Sequence, residues 1–175
     1  SAETAAGQYP LENVQAMAKT AEGAERTEQA KALGTRVEAQ YGRRDEAIAL
    51  GAMYIAGHLA NLSAIVCITE SGSTPLWMSR SGSSLPIVAL AQKETTRNRM
   101  ALFRGVLPMA FDPPADLPMS LIDQLVVGQV AHTLDLPDDS QVLLTRGDRL
   151  NNPGGTSTLK IISVGEAKKI AAESP

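Results

Sequence analysis

The sequence is poor in the features that mark several function classes. It has one cysteine, Cys67, so no intrachain disulfide can form. That cysteine lies inside an apolar run and reads as a small core residue of a protein kept in a reducing compartment, the cytoplasm. Aromatic residues make up only 3%, so aliphatic side chains and alanine must fill whatever core the 43% hydrophobic content builds. Basic residues are not in excess: a formal charge of −3 argues against a nucleic-acid or anionic-membrane partner, either of which favours a basic face. No apolar run approaches the roughly 20 residues of a membrane span. The opening Ser1-Ala-Glu-Thr has neither an initiating Met nor a signal-peptide pattern, as expected of a piece of a longer protein. The two histidines, His58 and His132, have no Cys, Asp or Glu at metal-ligand spacing, so no metal site is expected. Ser71 falls short of a Gly-x-Ser-x-Gly nucleophile elbow because Thr69 stands where the first glycine belongs, which sets a hydrolase aside.

What the chain does have is centred on Ala64-Ile-Val-Cys-Ile-Thr69-Glu-Ser-Gly72-Ser-Thr74-Pro75. The continuous apolar run reads as a strand buried on both faces, the habit of parallel sheets. It breaks into a hydroxyl- and glycine-rich turn, after which Pro75, Leu76, Trp77 and Met78 open a helix. Thr74 is the expected N-cap and Pro75 the first helical residue, where its missing N–H is not needed. Such a turn gathers free backbone N–H groups, the positive end of a helix dipole and the hydroxyls of Thr69, Ser71, Ser73 and Thr74. That combination holds an anion without much charge. The full phosphate-loop motif with Gly-Lys-Ser/Thr is absent, and an ordinary capped strand–helix turn uses the same residues.

Around this stretch, helices and short strands alternate. Pro10 opens a helix with Leu11, Val14, Met17, Ala18 and Ala21 on one face. Residues 25–44 read as a charged, alanine-rich connector, partly helical and solvated. Asp45 is the expected cap of the next helix, through Ile48, Ala52, Ile55 and Leu59. Further strands are expected at Pro86–Leu90, Gly105–Met109, Gln141–Thr145 and Thr158–Val164, with helices at Thr95–Phe103 and Pro118–Leu134. Pro108 cannot donate to a ladder, which sends its strand to a sheet edge. The last two strands are joined by a loop too short for a crossover, so the fifth should run antiparallel. The expectation is an α/β, doubly wound, five-stranded sheet of order 3-2-1-4-5 with helices on both faces, spanning residues 45–165. Residues 166–175 read as a tail with one or two frayed helical turns.

Order 3-2-1-4-5 places the reversal of strand order between the first and fourth strands, where open α/β sheets bind ligands. The loop Arg146-Gly-Asp-Arg149-Leu-Asn-Asn-Pro-Gly154-Gly155-Thr156 follows the fourth strand at the same edge as the Thr69–Thr74 turn. Arg149, Gly154, Gly155 and Thr156 would then face the turn across one crevice.

Several segments together resemble the pyruvate kinase family: Ser1-Ala-Glu-Thr-Ala-Ala-Gly-Gln-Tyr-Pro10, Ile68-Thr-Glu-Ser-Gly-Ser-Thr74, Leu102-Phe-Arg-Gly-Val106 and Gly154-Gly-Thr-Ser-Thr158. The resemblance covers residues 1 to about 164, in order, and is to the bacterial type activated by AMP or sugar monophosphates. It implies that residues 1–24 are the end of a catalytic barrel, with Ser1, Glu3 and Thr4 bordering its active site. The following residues would be the C-terminal regulatory domain. The full enzyme moves a phosphoryl group from phosphoenolpyruvate to ADP, forming ATP, with magnesium and potassium. Its metal carboxylates and catalytic lysine would lie outside this stretch, which is therefore expected to need no cofactor and to be inactive alone. An effector phosphate would sit at Thr69, Ser71, Gly72, Ser73 and Thr74, under the loop carrying Arg149, Gly154, Gly155 and Thr156. Partners implied are the effector, the barrel of the same protein and further subunits, a tetramer in the full enzyme. Relatives often carry a basic residue at the position of Ser73; here the turn is neutral apart from Glu70, leaving the effector's identity open. The alternatives are an assembly domain with a degenerate effector site, or a small standalone phosphotransferase or phosphatase.

Overall fold

A computed structural model describes residues 2–37, 40–113, 117–148 and 155–173, with only the backbone over 25–37. The chain divides into two units, residues 1–39 and 40–175.

The first unit holds α1 (Ala2–Ala6) and α2 (Pro10–Val37). Helix α2 is one continuous helix of 28 residues that runs on to Val37, through much of the segment expected to be a partly helical connector. Alanine, glutamate, lysine and glutamine are good helix formers, and they carry the helix through Gly23 and Gly34 despite a cost of about 1 kcal/mol for each glycine. Leu11, Val14 and Met17 are each more than half exposed within this chain.

The second unit runs α3 (Arg44–His58), β1 (Leu62–Ile68), α4 (Ser73–Ser81), β2 (Ile87–Ala91), α5 (Glu94–Met100), β3 (Val106–Ala110), α6 (Met119–Thr133), β4 (Gln141–Gly147), β5 (Thr156–Ser163) and α7 (Val164–Glu173). The sheet has the order β3-β2-β1-β4-β5. Strands β1 to β4 are parallel, and β5 pairs antiparallel with β4, as expected. Pro108 lies on edge strand β3, where its missing N–H costs no ladder bond on the open side.

The sheet is covered on both faces. Val66, Val88, Val142, Leu144 and Ile162 pack against Ile122, Val126 and Val130 of α6 and Ala167 of α7. The alternate residues Ile65, Cys67, Ile87 and Leu143 are fully buried on the other face, the side of α3, α4 and α5. The buried β1 and β2 explain the continuous apolar runs: a strand with two covered faces has no polar side. Trp77, the only tryptophan, sits on α4 with the Arg80 guanidinium 4.8 Å from its ring centroid.

Two local expectations are corrected. Asp45 does not cap α3; the cap position is Arg43, and Asp45 lies buried in the first turn. The expected frayed tail is largely α7, which packs along α6 so closely that a Cβ on Gly128 would meet Ala171 Cβ at 2.6 Å and the Ala167 carbonyl at 2.7 Å. Its stability comes from that contact, which short-range sequence signals do not carry.

Candidate anion-binding site

The turn leaving β1 is built on two hydrogen bonds of Thr69. Thr69 continues the sheet ladder through its N–H to the Leu90 carbonyl, 3.0 Å, and its hydroxyl accepts the Gly72 N–H at 3.0 Å. Gly72 takes the left-handed conformation, φ 73°, which a side chain resists. Space is also tight there: a Cβ would stand 3.0 Å from Met100 Cγ and 3.3 Å from an Arg99 guanidinium nitrogen, so those side chains would have to give way slightly.

Helix α4 begins two residues earlier than expected. Gly72, not Thr74, is its cap residue, and its ladder opens with Leu76 N–H to the Gly72 carbonyl. Ser73 and Thr74 therefore occupy the first turn, where amides have no partner within the helix, and Pro75 follows with no amide to satisfy. Ser71 and Ser73 are half-buried, and Thr74 is buried. The Thr74 hydroxyl, free of capping, shares a 2.7 Å hydrogen bond with that of Thr156 at the start of β5. The turn after β1 and the return from β4 thus meet at the switch point.

The cations described at the turn are not among the residues expected there. Arg149 and Gly154 lie outside the described residues, as does Ser1, while Gly155 is half-buried beside Thr156. Glu3 and Thr4 lie on α1 in the other unit. The cation that reaches the turn is Arg43. It donates to Asp45 through Nε (3.1 Å) and Nη2 (2.8 Å), and Nη2 also donates to Ser73 Oγ at 3.2 Å. Arg43, chiefly, and the Ser73 hydroxyl hold the Asp45 carboxyl below the usual carboxylate range, against the upward push of burial. Arg99 reaches the other side of Gly72. The charge of Glu70 is drawn to Lys93, while the Glu70 carbonyl accepts from the Thr96 hydroxyl at 3.1 Å. Asp148, just after β4, accepts from Thr158 Oγ1 at 3.0 Å, and the Ser157 and Thr158 hydroxyls lower its pKa. Arg43 and Arg99 were missed from the sequence because each comes from an element whose nearness to the turn is tertiary.

The arrangement offers helix-start amides, clustered hydroxyls and two guanidinium groups at the carboxyl edge of a parallel sheet. It can hold a small anion by hydrogen bonding. Among the described residues no group of three or more His, Cys, Asp or Glu side chains could hold a metal ion, and no helix is long and apolar enough to cross a membrane.

Fold and turn together define a doubly wound α/β domain with a ligand-type crevice at its switch point. Residues 46–162 match the family model described as "Pyruvate kinase, alpha/beta domain". Over 164 residues the chain is 42% identical to pyruvate kinase II of Salmonella typhimurium, covering 94% of this chain and 34% of that protein. It is 38% identical over the same length and shares to a pyruvate kinase of Buchnera aphidicola (subsp. Schizaphis graminum). Over 109 residues it is 46% identical to pyruvate kinase of Haemophilus influenzae, 62% of this chain and 23% of that protein. The chain belongs to the pyruvate kinase family, and it spans about a third of the length of these relatives.

Proposed function

We infer that this chain is the regulatory part of a pyruvate kinase and that it binds a phosphorylated effector, AMP or a sugar monophosphate, at the Thr69–Thr74 turn. The observation that carries the reading is the Thr74–Thr156 hydroxyl bond, which joins two loops 82 residues apart at one crevice. A phosphate monoester there would accept from the amides of the first α4 turn and the hydroxyls of Thr69, Ser71 and Ser73. Arg43 and Arg99 would supply balancing charge beside the expected loop of Arg149, Gly154, Gly155 and Thr156.

Transfer of a phosphoryl group from phosphoenolpyruvate to ADP belongs to the whole enzyme. Magnesium and potassium would be held by residues outside this stretch. This chain supplies effector binding, contacts with the catalytic barrel and contacts between subunits of a cytoplasmic homotetramer. Alone it forms no ATP, because positioning and metal-borne charge stabilisation, which carry phosphoryl transfer, lie elsewhere.

A second reading has its own observation: Arg43 is already neutralised by Asp45, and Glu70 borders the turn, as in an assembly domain whose effector site has decayed. Calorimetry with AMP, ribose 5-phosphate and glucose 6-phosphate separates the two. Saturable binding of one ligand, abolished by filling the turn with Gly72→Val, supports the effector site. Heats of dilution alone for all three support the assembly domain.

A further inference from the structure

The β4–β5 ladder changes register where it matters. Arg146 pairs with Thr158, but the next residue, Gly147, pairs with Thr156, so β5 carries one extra residue, Ser157. In a regular strand side chains alternate, and Thr156 would share the face of Thr158 and Lys160. That is the α6 face, since Lys160 Nζ donates to Asp123 of α6 at 2.5 Å. A bulge breaks the alternation and re-aims the side chain beyond it. Thr156 accordingly meets Thr74 of α4 instead. The contact that joins the two loops of the crevice exists because of the extra residue.

The ladder next to the bulge is tied across its two strands by one buried carboxylate. Asp123, 1% exposed, accepts from Arg146 Nε at 2.5 Å and Nη2 at 3.2 Å as well as from Lys160. Arg146 stands on β4 opposite the bulge, and Lys160 stands on β5 two residues beyond Thr158. Arg146 Nη1 also donates to the Gly147 carbonyl at 3.0 Å, fixing the peptide at which the register shifts. Burying Asp123 and Arg146 is costly, with Lys160 still 38% exposed, and replacing such a cluster by apolar residues of similar volume is often neutral or stabilising. The arrangement therefore points to geometry rather than stability as its use.

We propose that Asp123 is a positioning residue: by tying Arg146 of β4 to Lys160 of β5 across the last regular pairs before the bulge, it keeps the register that aims Thr156 at Thr74. Its consequence for phosphate binding rests on the reading of the preceding section, but the placement of Thr156 does not.

The test uses this chain in two forms, Asp123→Asn and the combination Asp123→Leu, Arg146→Met and Lys160→Met. Asp123→Asn removes the charge at nearly constant shape; the triple change replaces all three charges and stays folded even where the single variant does not. Amide hydrogen exchange is followed at Gly147 and residues 156–160, with β1 and β2 as internal controls. Exchange at the bulge should quicken about tenfold in both variants while β1 and β2 change little, the mark of local loosening. The triple variant should melt at or above the wild-type temperature yet bind glucose 6-phosphate about fivefold more weakly, a separation that a purely stabilising cluster would not give. Wild-type exchange at 156–160 in the folded triple variant, or an equal rise across all five strands, overturns the proposal. Should the wild type bind neither glucose 6-phosphate nor inorganic phosphate, the effector reading falls, and the exchange data still decide the role of Asp123.

Discussion

Thr74 and Thr156 satisfy one another: their hydroxyls lie 2.7 Å apart, both buried, one on α4 and one on β5. Neither has water to fall back on, so removing one leaves the other orphaned. Thr156→Val and Thr74→Val should each cost about 1–2 kcal/mol, while the double change costs less than their sum. Urea denaturation of the four proteins gives the coupling. Strict additivity would mean that the bond contributes nothing.

Arg43 is expected to tune affinity more than stability. Its side chain is 57% exposed, so its pairing with Asp45 is screened by solvent. A charge-assisted contact to phosphate in such a setting is weakened by solvent and is worth only about severalfold in affinity. Arg43→Met should lower glucose 6-phosphate affinity by that factor and flatten its salt dependence. Unchanged affinity at two salt concentrations would remove Arg43 from the site.

The α6–α7 contact has no room for a methyl group. Gly128→Ala gains about 1 kcal/mol in helix propensity but must push back the Ala167 carbonyl and Ala171. Overpacking of this kind costs about 1–3 kcal/mol, so the expected outcome is a melting temperature a few degrees lower. A higher melting temperature would show that α7 gives way freely.

Burial pushes the Cys67 thiol up to about 12 from an ordinary 9.0, with the Thr145 hydroxyl working against the shift. Between those values the unfolded thiol loses its proton and the folded one keeps it. The unfolded state then binds fewer protons, and stability falls by about 1.4 kcal/mol per pH unit as pH rises. Cys67→Ala should show a shallower fall over the same window. Parallel curves for the two proteins would contradict the burial argument.

The exposed stripe of Leu11, Val14 and Met17 should drive association of the isolated chain. Changing all three to Gln should abolish it in sedimentation, with the unfolding of the α/β unit unaltered. A strictly monomeric wild type with strong amide protection over 11–21 would be the contrary result.

Much of the architecture was readable because a few residues leave little choice. Pro108 marks an edge, the run Ala64–Ile68 marks a strand covered on both sides, and a short β4–β5 connection forces antiparallel pairing. The turn was legible from its hydroxyls, although its helix opens at Ser73 rather than Pro75. Other parts were hidden for physical reasons. The place of Arg43 depends on where the start of α3 falls in space, and from the sequence it belongs to a charged run. The helix over the last residues is held by packing against Gly128, far in sequence from its neighbours Ala167 and Ala171. The bulge at Ser157 leaves no local signature, because an inserted residue between two threonines looks like any other strand position.

The lone indole of Trp77 lies three positions past Thr74 on the same short helix, with a guanidinium over its ring. Its fluorescence is therefore a built-in gauge of that helix. Any ligand or substitution that shifts the start of α4 should alter the surroundings of that ring, so its emission offers an optical readout without attaching a dye.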